Sequence, residues 1–245
     1  MIRVYADLEA LSRAAAELFV LEAHRAVASR DRFVVLLAGG ATPRRTYELL
    51  AAPPFGDRVP WPAVHIFWGD ERCVPPDDRR SNASMTRRAL LDHVPVPLEQ
   101  IHPITCSGSP GGGAAEYEEL LRDVFPSGVP GFDLVFLGLG ENGHTASLFP
   151  GTPALDERER WVTEVYVAEE ELHRVTLTVP IINQAALVIF LVAGAGKAQV
   201  LREVLEGEPA QRLLPAQLIR PVKGGLLWLV DREAASLLHK RIGMG

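Results

Sequence analysis

Leu8, Leu11, Ala15, Leu18 and Leu21 recur at three- and four-residue spacing across residues 7–29, with charged side chains between them, which predicts one amphipathic helix. The pattern then changes. Phe33–Leu37 is an unbroken apolar run, and similar runs follow at Val64–Trp68, 132–137, Leu187–Val192 and 226–230. Short runs without alternation suit strands buried on both faces, as in a parallel sheet. Helical patterns lie between them near 43–52, 82–93, 113–125 and 195–206, with a last one expected after Asp231. Two more strand-like stretches, 161–167 and 174–179, lie close together and alternate better, which predicts an antiparallel or edge excursion.

Strands alternating with helices indicate an α/β fold, a three-layer Rossmann-like domain with a mostly parallel central sheet and a small antiparallel excursion. No linker or internal repeat divides the chain, so residues 1–245 read as a single domain. The Gly-rich stretch 107–113 reads as a surface loop, as do Pro53-Pro54 and Pro75-Pro76. Hydrophobic residues make up 47% and charged residues 23%, so the core is large enough to fold without disulfides or metal. The only cysteines, Cys73 and Cys106, form neither a CxxC pair nor a zinc-ligand spacing, which points to a reducing cytoplasm. Asp7, Glu9, Glu17 and Glu22 argue against a signal peptide, and the apolar stretch 185–196 is too short to span a bilayer. A net charge of −6 disfavours nucleic acid as the main partner. The basic residues are 22 Arg and three Lys, namely Lys197, Lys223 and Lys240.

Four segments carry chemistry. Leu37-Ala-Gly39-Gly40-Ala-Thr42-Pro43 leads from a strand into a helix. Thr42 suits an N-cap and Pro43 a first helical position, and a helix start after a glycine turn offers free N–H groups to a phosphate. Asp70-Glu71-Arg72 follows the second apolar run and leads on to Ser81-Asn82. At the carboxyl end of a strand, all three charged residues are expected to face the same crevice as Gly39. In residues 138–151, three glycines within six residues present His144, an imidazole suited to general base catalysis. Finally, Arg174 lies in a strand-like stretch, and Lys197 falls near a helix start after a Gly-rich turn.

Taken together, these segments resemble the 6-phosphogluconolactonase family. The resemblance runs in order from the Gly-Gly-Ala-Thr-Pro turn through Asp-Glu-Arg-x-Val-Pro, Ser-Asn, Gly-x-Gly-x-x-Gly-His-Thr-Ala-Ser-Leu-Phe-Pro-Gly and Arg-Val-Thr-Leu-Thr to Gly-x-x-Lys-Ala and Leu-Trp-Leu-Val-Asp-Arg-Glu-Ala-Ala, over about residues 33–235. It implies hydrolysis of 6-phosphoglucono-1,5-lactone to 6-phosphogluconate in the oxidative pentose phosphate pathway, with no metal and no organic cofactor; a cytoplasmic monomer or small homo-oligomer is expected. His144 and Asp70 are the implied catalytic residues. Gly39, Gly40, Thr42, Arg72, Asn82, Gly143, Arg174 and Lys197 are implied to hold substrate, with backbone N–H groups near Gly143 expected at the oxyanion. One position departs from the pattern: Asn142 stands where the family often has Asp.

Two other readings fit less well. Sugar-phosphate deaminases that share the fold carry an Asp two residues before the histidine and an Asn-Glu-Pro type sequence after it. Here those places hold Asn142 and Leu148-Phe149-Pro150. A sugar-phosphate sensor of a transcription regulator needs a DNA-reading domain. The roughly 32 residues expected before the first strand are taken up by one helix, leaving no room for it.

Overall fold

The computed structural model describes residues 1–245 apart from 107, 127, 129, 208–213, 240–242 and 245. The chain opens with a strand, β1 (Ile2–Tyr5), followed by α1 (Leu8–Arg30). Asp7 caps α1 by accepting the Ala10 N–H at 2.8 Å. Next come β2 (Phe33–Leu37), α2 (Ala41–Leu50), β3 (Val64–Trp68), β4 (Asp70–Arg72), α3 (Asn82–Ala89), β5 (Ile101–His102) and α4 (Pro110–Val124). The second half contributes β6 (Leu134–Leu137), β7 (Val162–Val167), β8 (Leu172–Leu177), α5 (Val179–Ile182), β9 (Leu187–Val192), α6 (Ala198–Glu206), β10 (Gly225–Asp231) and β11 (Gly243–Met244).

The large sheet is parallel throughout, in the order β11-β1-β10-β9-β6-β2-β3-β5. From β2 the chain steps outward to β3 and β5, and from β6 it steps the other way to β9 and β10. Strand order therefore reverses between β2 and β6, the place where open α/β sheets form a crevice at their carboxyl ends. All five residues of β2 are buried, as their unbroken apolar sequence requires. The small sheet, β4-β8-β7, is antiparallel and sits beside that crevice. One apolar cluster runs through both sheets, from Phe33 and Phe136 to Val165 and Leu177.

Several expectations are corrected. The first strand is β1, not β2. It is only four residues long and none of them is fully buried, so its hydrophobic signal is weak. The excursion recruits a third strand, because Asp70–Arg72 pairs with β8. The stretch 107–113 is not all loop: α4 begins at Pro110, with Ser109 accepting the Gly112 N–H at 3.1 Å. Residues 232–237 form turns instead of a helix, organised by Asp231, which accepts the Ala234 N–H at 2.7 Å. The two cysteines are joined as Cys73–Cys106. Nothing in their 33-residue separation announces this. The adjacency of β3 and β5 brings the segments that follow them together. Among the described residues no helix is long and apolar enough to cross a membrane.

Candidate active site

A cleft of about 710 Å³ opens over the carboxyl ends of β2, β6 and β9, with β4 and β8 forming its other wall. Its size is that of a small-molecule site. His144, Asp70, Gly39, Gly40, Thr42, Arg72, Asn82, Arg174 and Lys197 all line it. Gly143 does not.

The His144 loop is built by close approach. The Gly140 N–H donates to the His144 carbonyl at 2.8 Å, and the Gly143 N–H donates to the Gly140 carbonyl at 3.0 Å. A Cβ on Gly140 would lie 2.1 Å from the His144 ring, so only glycine leaves space for the imidazole. Gly143 has φ +80° and backs onto Leu214. Its N–H is committed to the turn and its carbonyl accepts the Ala216 N–H, so it shapes the loop and does not serve as an oxyanion donor. Asn142 Oδ1 lies 2.6 Å from His144 Nδ1, and the ring stacks on Phe149 with centroids 4.1 Å apart. Nε2 has no hydrogen bond among the described residues. Burial pulls the His144 imidazole down to about 4, with Arg174 and Lys197 adding to the effect and Asp70 and Glu170 opposing it. His144 is therefore uncharged at neutral pH.

The α2 wall works through backbone. Gly40, not Thr42, occupies the N-cap position, with φ +103° and no side-chain cap. The sequence pointed to Thr42 because of its residue type. The helix instead starts two residues earlier, at Ala41, which places Thr42 inside the first turn. The first N–H groups of α2 thus meet the cleft without an internal acceptor. Gly39 is needed for a neighbour more than for a ligand: a Cβ there would lie 1.8 Å from Asn82 Oδ1.

The β4 wall works through side chains, which alternate from face to face. Asp70 and Arg72 face the cleft, and Glu71 turns away, contrary to the expectation that all three would share it. Glu71 accepts N–H groups from Arg72, Asn82 and Ala83 and the Ser81 hydroxyl, and so anchors the start of α3. Burial raises its pKa against those four donors. Asp70 accepts from Ser147 Oγ at 2.6 Å and from Asn82 Nδ2 at 3.3 Å, with Arg174 Nη1 at 3.8 Å. Ser147 is fully buried and donates to Asp70, so it is not poised as a nucleophile. Arg174 is only 3% exposed. It pairs with Glu170, and its guanidinium lies 5.2 Å from the centre of the Phe149 ring. Burial pushes the Glu170 carboxyl up, but bonding to Arg174 and its charge outweigh this and leave the group lowered. Arg72 Nη1 donates to the Arg80 carbonyl. Lys197 ends the turn after Gly194, whose N–H is held by the Asp231 carboxylate at 2.9 Å.

Sequence reasoning did not assign roles to Phe149 or Glu170. Phe149 lies inside the most distinctive motif, which is a usable signal. Glu170 sits in a run of glutamates, where nothing marks one as the partner of Arg174. No cluster of three His, Cys, Asp or Glu among the described residues is placed to hold a metal.

Residues 6–228 match the family model described as glucosamine-6-phosphate isomerases/6-phosphogluconolactonase. The chain is 40% identical to a 6-phosphogluconolactonase of a Nostoc species, covering 97% of this chain and 98% of that protein. It is 43% identical to one from a Synechocystis species, covering 88% of each. Among solved structures, 6-phosphogluconolactonase from Trypanosoma brucei superposes with a TM-score of 0.83 at 30% identity, covering 98% of both chains. A monomeric glucosamine-6-phosphate deaminase superposes with a TM-score of 0.81 at 22% identity, a likeness of fold alone that covers 97% of this chain and 99% of that one. The switch-point cleft and its ordered motifs thus lie in a chain that belongs to the glucosamine-6-phosphate isomerase/6-phosphogluconolactonase family.

Proposed function

We propose that this protein hydrolyses 6-phospho-D-glucono-1,5-lactone to 6-phospho-D-gluconate, with His144 as general base. The observation that carries the reading is an uncharged imidazole with a free Nε2, facing the same cleft as the open N-terminus of α2. The phosphate dianion sits at the first turn of α2, held by its N–H groups and by Arg72 and Lys197. That grip fixes the ring over His144, so the catalytic step starts from an oriented pair. Nε2 takes a proton from water as the water oxygen bonds to C1. The bond from C1 to the ring oxygen then breaks, and the proton passes from His144 to that oxygen, giving the C5 hydroxyl and the carboxylic acid, which ionises. Asp70, fixed by Ser147 and Asn82 and close to Arg174, supplies negative charge as the imidazolium forms.

Phe149 favours lactone hydrolysis over deamination. It occupies the place where the deaminase motif carries Glu, and its ring covers one face of His144. Deamination with isomerisation needs further acid–base groups at that point, and an aromatic ring supplies none.

The test is 6-phosphogluconate formation from fresh lactone, with the spontaneous rate subtracted. His144→Ala should fold normally and lose about 10²- to 10⁴-fold in kcat, the usual contribution of a general base. Unchanged kcat would remove His144 from the mechanism.

A further inference from the structure

Asn142 contacts His144 twice through one oxygen. Its Oδ1 accepts the His144 backbone N–H at 3.1 Å and lies 2.6 Å from Nδ1 of the same residue. A backbone N–H can only donate. It therefore decides which end of the amide faces it, because the reversed amide would set NH₂ against N–H. With the oxygen so placed, the ring nitrogen at 2.6 Å must be a donor as well. A neutral imidazole carries one N–H. If that hydrogen is on Nδ1, Nε2 is bare.

We infer that Asn142 is the positioning residue of the catalytic base: its amide oxygen locks His144 as the Nδ1–H tautomer and leaves the Nε2 lone pair for water. This rests on His144 being the base. The amide fixes orientation as a carboxylate would, but adds no charge. An Asp at this position would put a negative charge against Nδ1 and favour the imidazolium. The remaining charges around the ring are mixed. Arg174 and Glu170 approach from the β8 side, Asp70 from β4 and Lys197 from the turn before α6, while Glu141 lines the cleft beside Asn142. With no anion bonded to it, the imidazole stays neutral well below neutral pH, which gives a base that keeps working in mild acid.

The test compares wild type with Asn142→Asp and Asn142→Ala, using histidine-¹⁵N long-range correlation spectra with the His144 signals assigned from His144→Ala. At pH 7 wild type should show Nδ1 protonated and Nε2 bare. Asn142→Ala should lose that preference. Asn142→Asp should keep it, with the acidic limb of kcat and the His144 titration both moving up by about one to three pH units. kcat at saturation is the right readout, because substrate phosphate changes charge near pH 6. An Nε2–H pattern in wild type would overturn the inference, as would an unmoved limb and titration in Asn142→Asp. If His144→Ala kept full activity while the Nδ1–H pattern stood, the base assignment would fail instead.

Discussion

The two walls of the cleft are made in different ways. The wall over β2 and β6 is made of backbone: glycines at 39, 40 and 140, the open first turn of α2, and a loop that seats one imidazole by leaving out one Cβ. The wall from β4 and β8 is made of side chains, with Asp70, Ser147, Arg174 and Glu170 bonded in series and Arg72 tied to the Arg80 carbonyl. Backbone donors point where the fold points them and cannot be removed by truncating a side chain. Side-chain charges depend on their partners and on the strands that carry them. The first wall is thus vulnerable to added volume, and the second to lost contacts and lost anchoring.

The largest effect should come from adding a single methyl group to the backbone wall. In Gly140→Ala the new Cβ falls 2.1 Å from the His144 ring, so the imidazole must move. A misplacement of about 1 Å can cost about 10²-fold. We expect kcat to fall by about 10²- to 10⁴-fold, toward the His144→Ala level, with KM little changed. A Gly140→Ala enzyme with wild-type kcat would show that close approach does not hold the base.

The next effect concerns the anchor of the side-chain wall. Cys73 directly follows β4, and its N–H also donates to the His173 carbonyl of β8 at 2.9 Å. The bridge to Cys106 closes a loop with a sequence separation of 33. A loop of that length corresponds to about 4 kcal/mol of stabilisation on the chain-entropy model. Cys73→Ser should lower unfolding stability by up to that amount in chemical denaturation, and reduction of the wild type by excess dithiol should match it. Because β4 stays paired with β8, kcat should fall much less than in Gly140→Ala. A kcat loss as deep as that of Gly140→Ala would show that the two walls do not differ as described.

The sequence made the backbone wall legible and named the main charged residues of the other wall without showing how they pair or which way Glu71 faces, for physical reasons. Buried parallel strands announce themselves as apolar runs, and a strand that ends in glycines and leads to a helix has few alternatives. Hence β2, β3 and β9 fall at the predicted bounds, and the switch-point cleft follows from strand order. The three-residue strand β4 carries no such signal, since Asp70-Glu71-Arg72 is fully charged and pairs only because β8 lies beside it. That pairing separates Glu71 from its neighbours, through an alternation that no loop reading of the segment contains. The disulfide is likewise a product of tertiary adjacency, whereas Glu170 and Arg174 are only four residues apart and meet because the tight turn into β8 folds one back beside the other. Thr42 fails as a cap because Gly40, at φ +103°, turns the chain two residues earlier. The site residues were legible as types in a motif, and their individual roles depend on which face each side chain takes.

The smallest effect is also the most direct comparison of the walls, because both are proposed to hold the same phosphate. Thr42→Val removes a hydroxyl from the first turn of α2 and leaves every backbone N–H in place. Its single hydrogen bond to the dianion is worth about 1.5 kcal/mol, the low end for a charged acceptor, so KM should rise by about 10-fold. Arg72→Ala removes a guanidinium from the opposite wall. The guanidinium brings its own charge and can donate two such bonds, at the upper end of about 3 kcal/mol, so its KM should rise by about 100-fold. Raising the salt concentration should narrow the gap between Arg72→Ala and wild type, because screening weakens the guanidinium contact, while the Thr42→Val ratio should hardly move. Equal KM changes for both variants, insensitive to salt, would mean that the α2 backbone holds the phosphate without Arg72. A collapse of kcat in Arg72→Ala at unchanged KM would move that side chain from the phosphate to the reacting carbonyl.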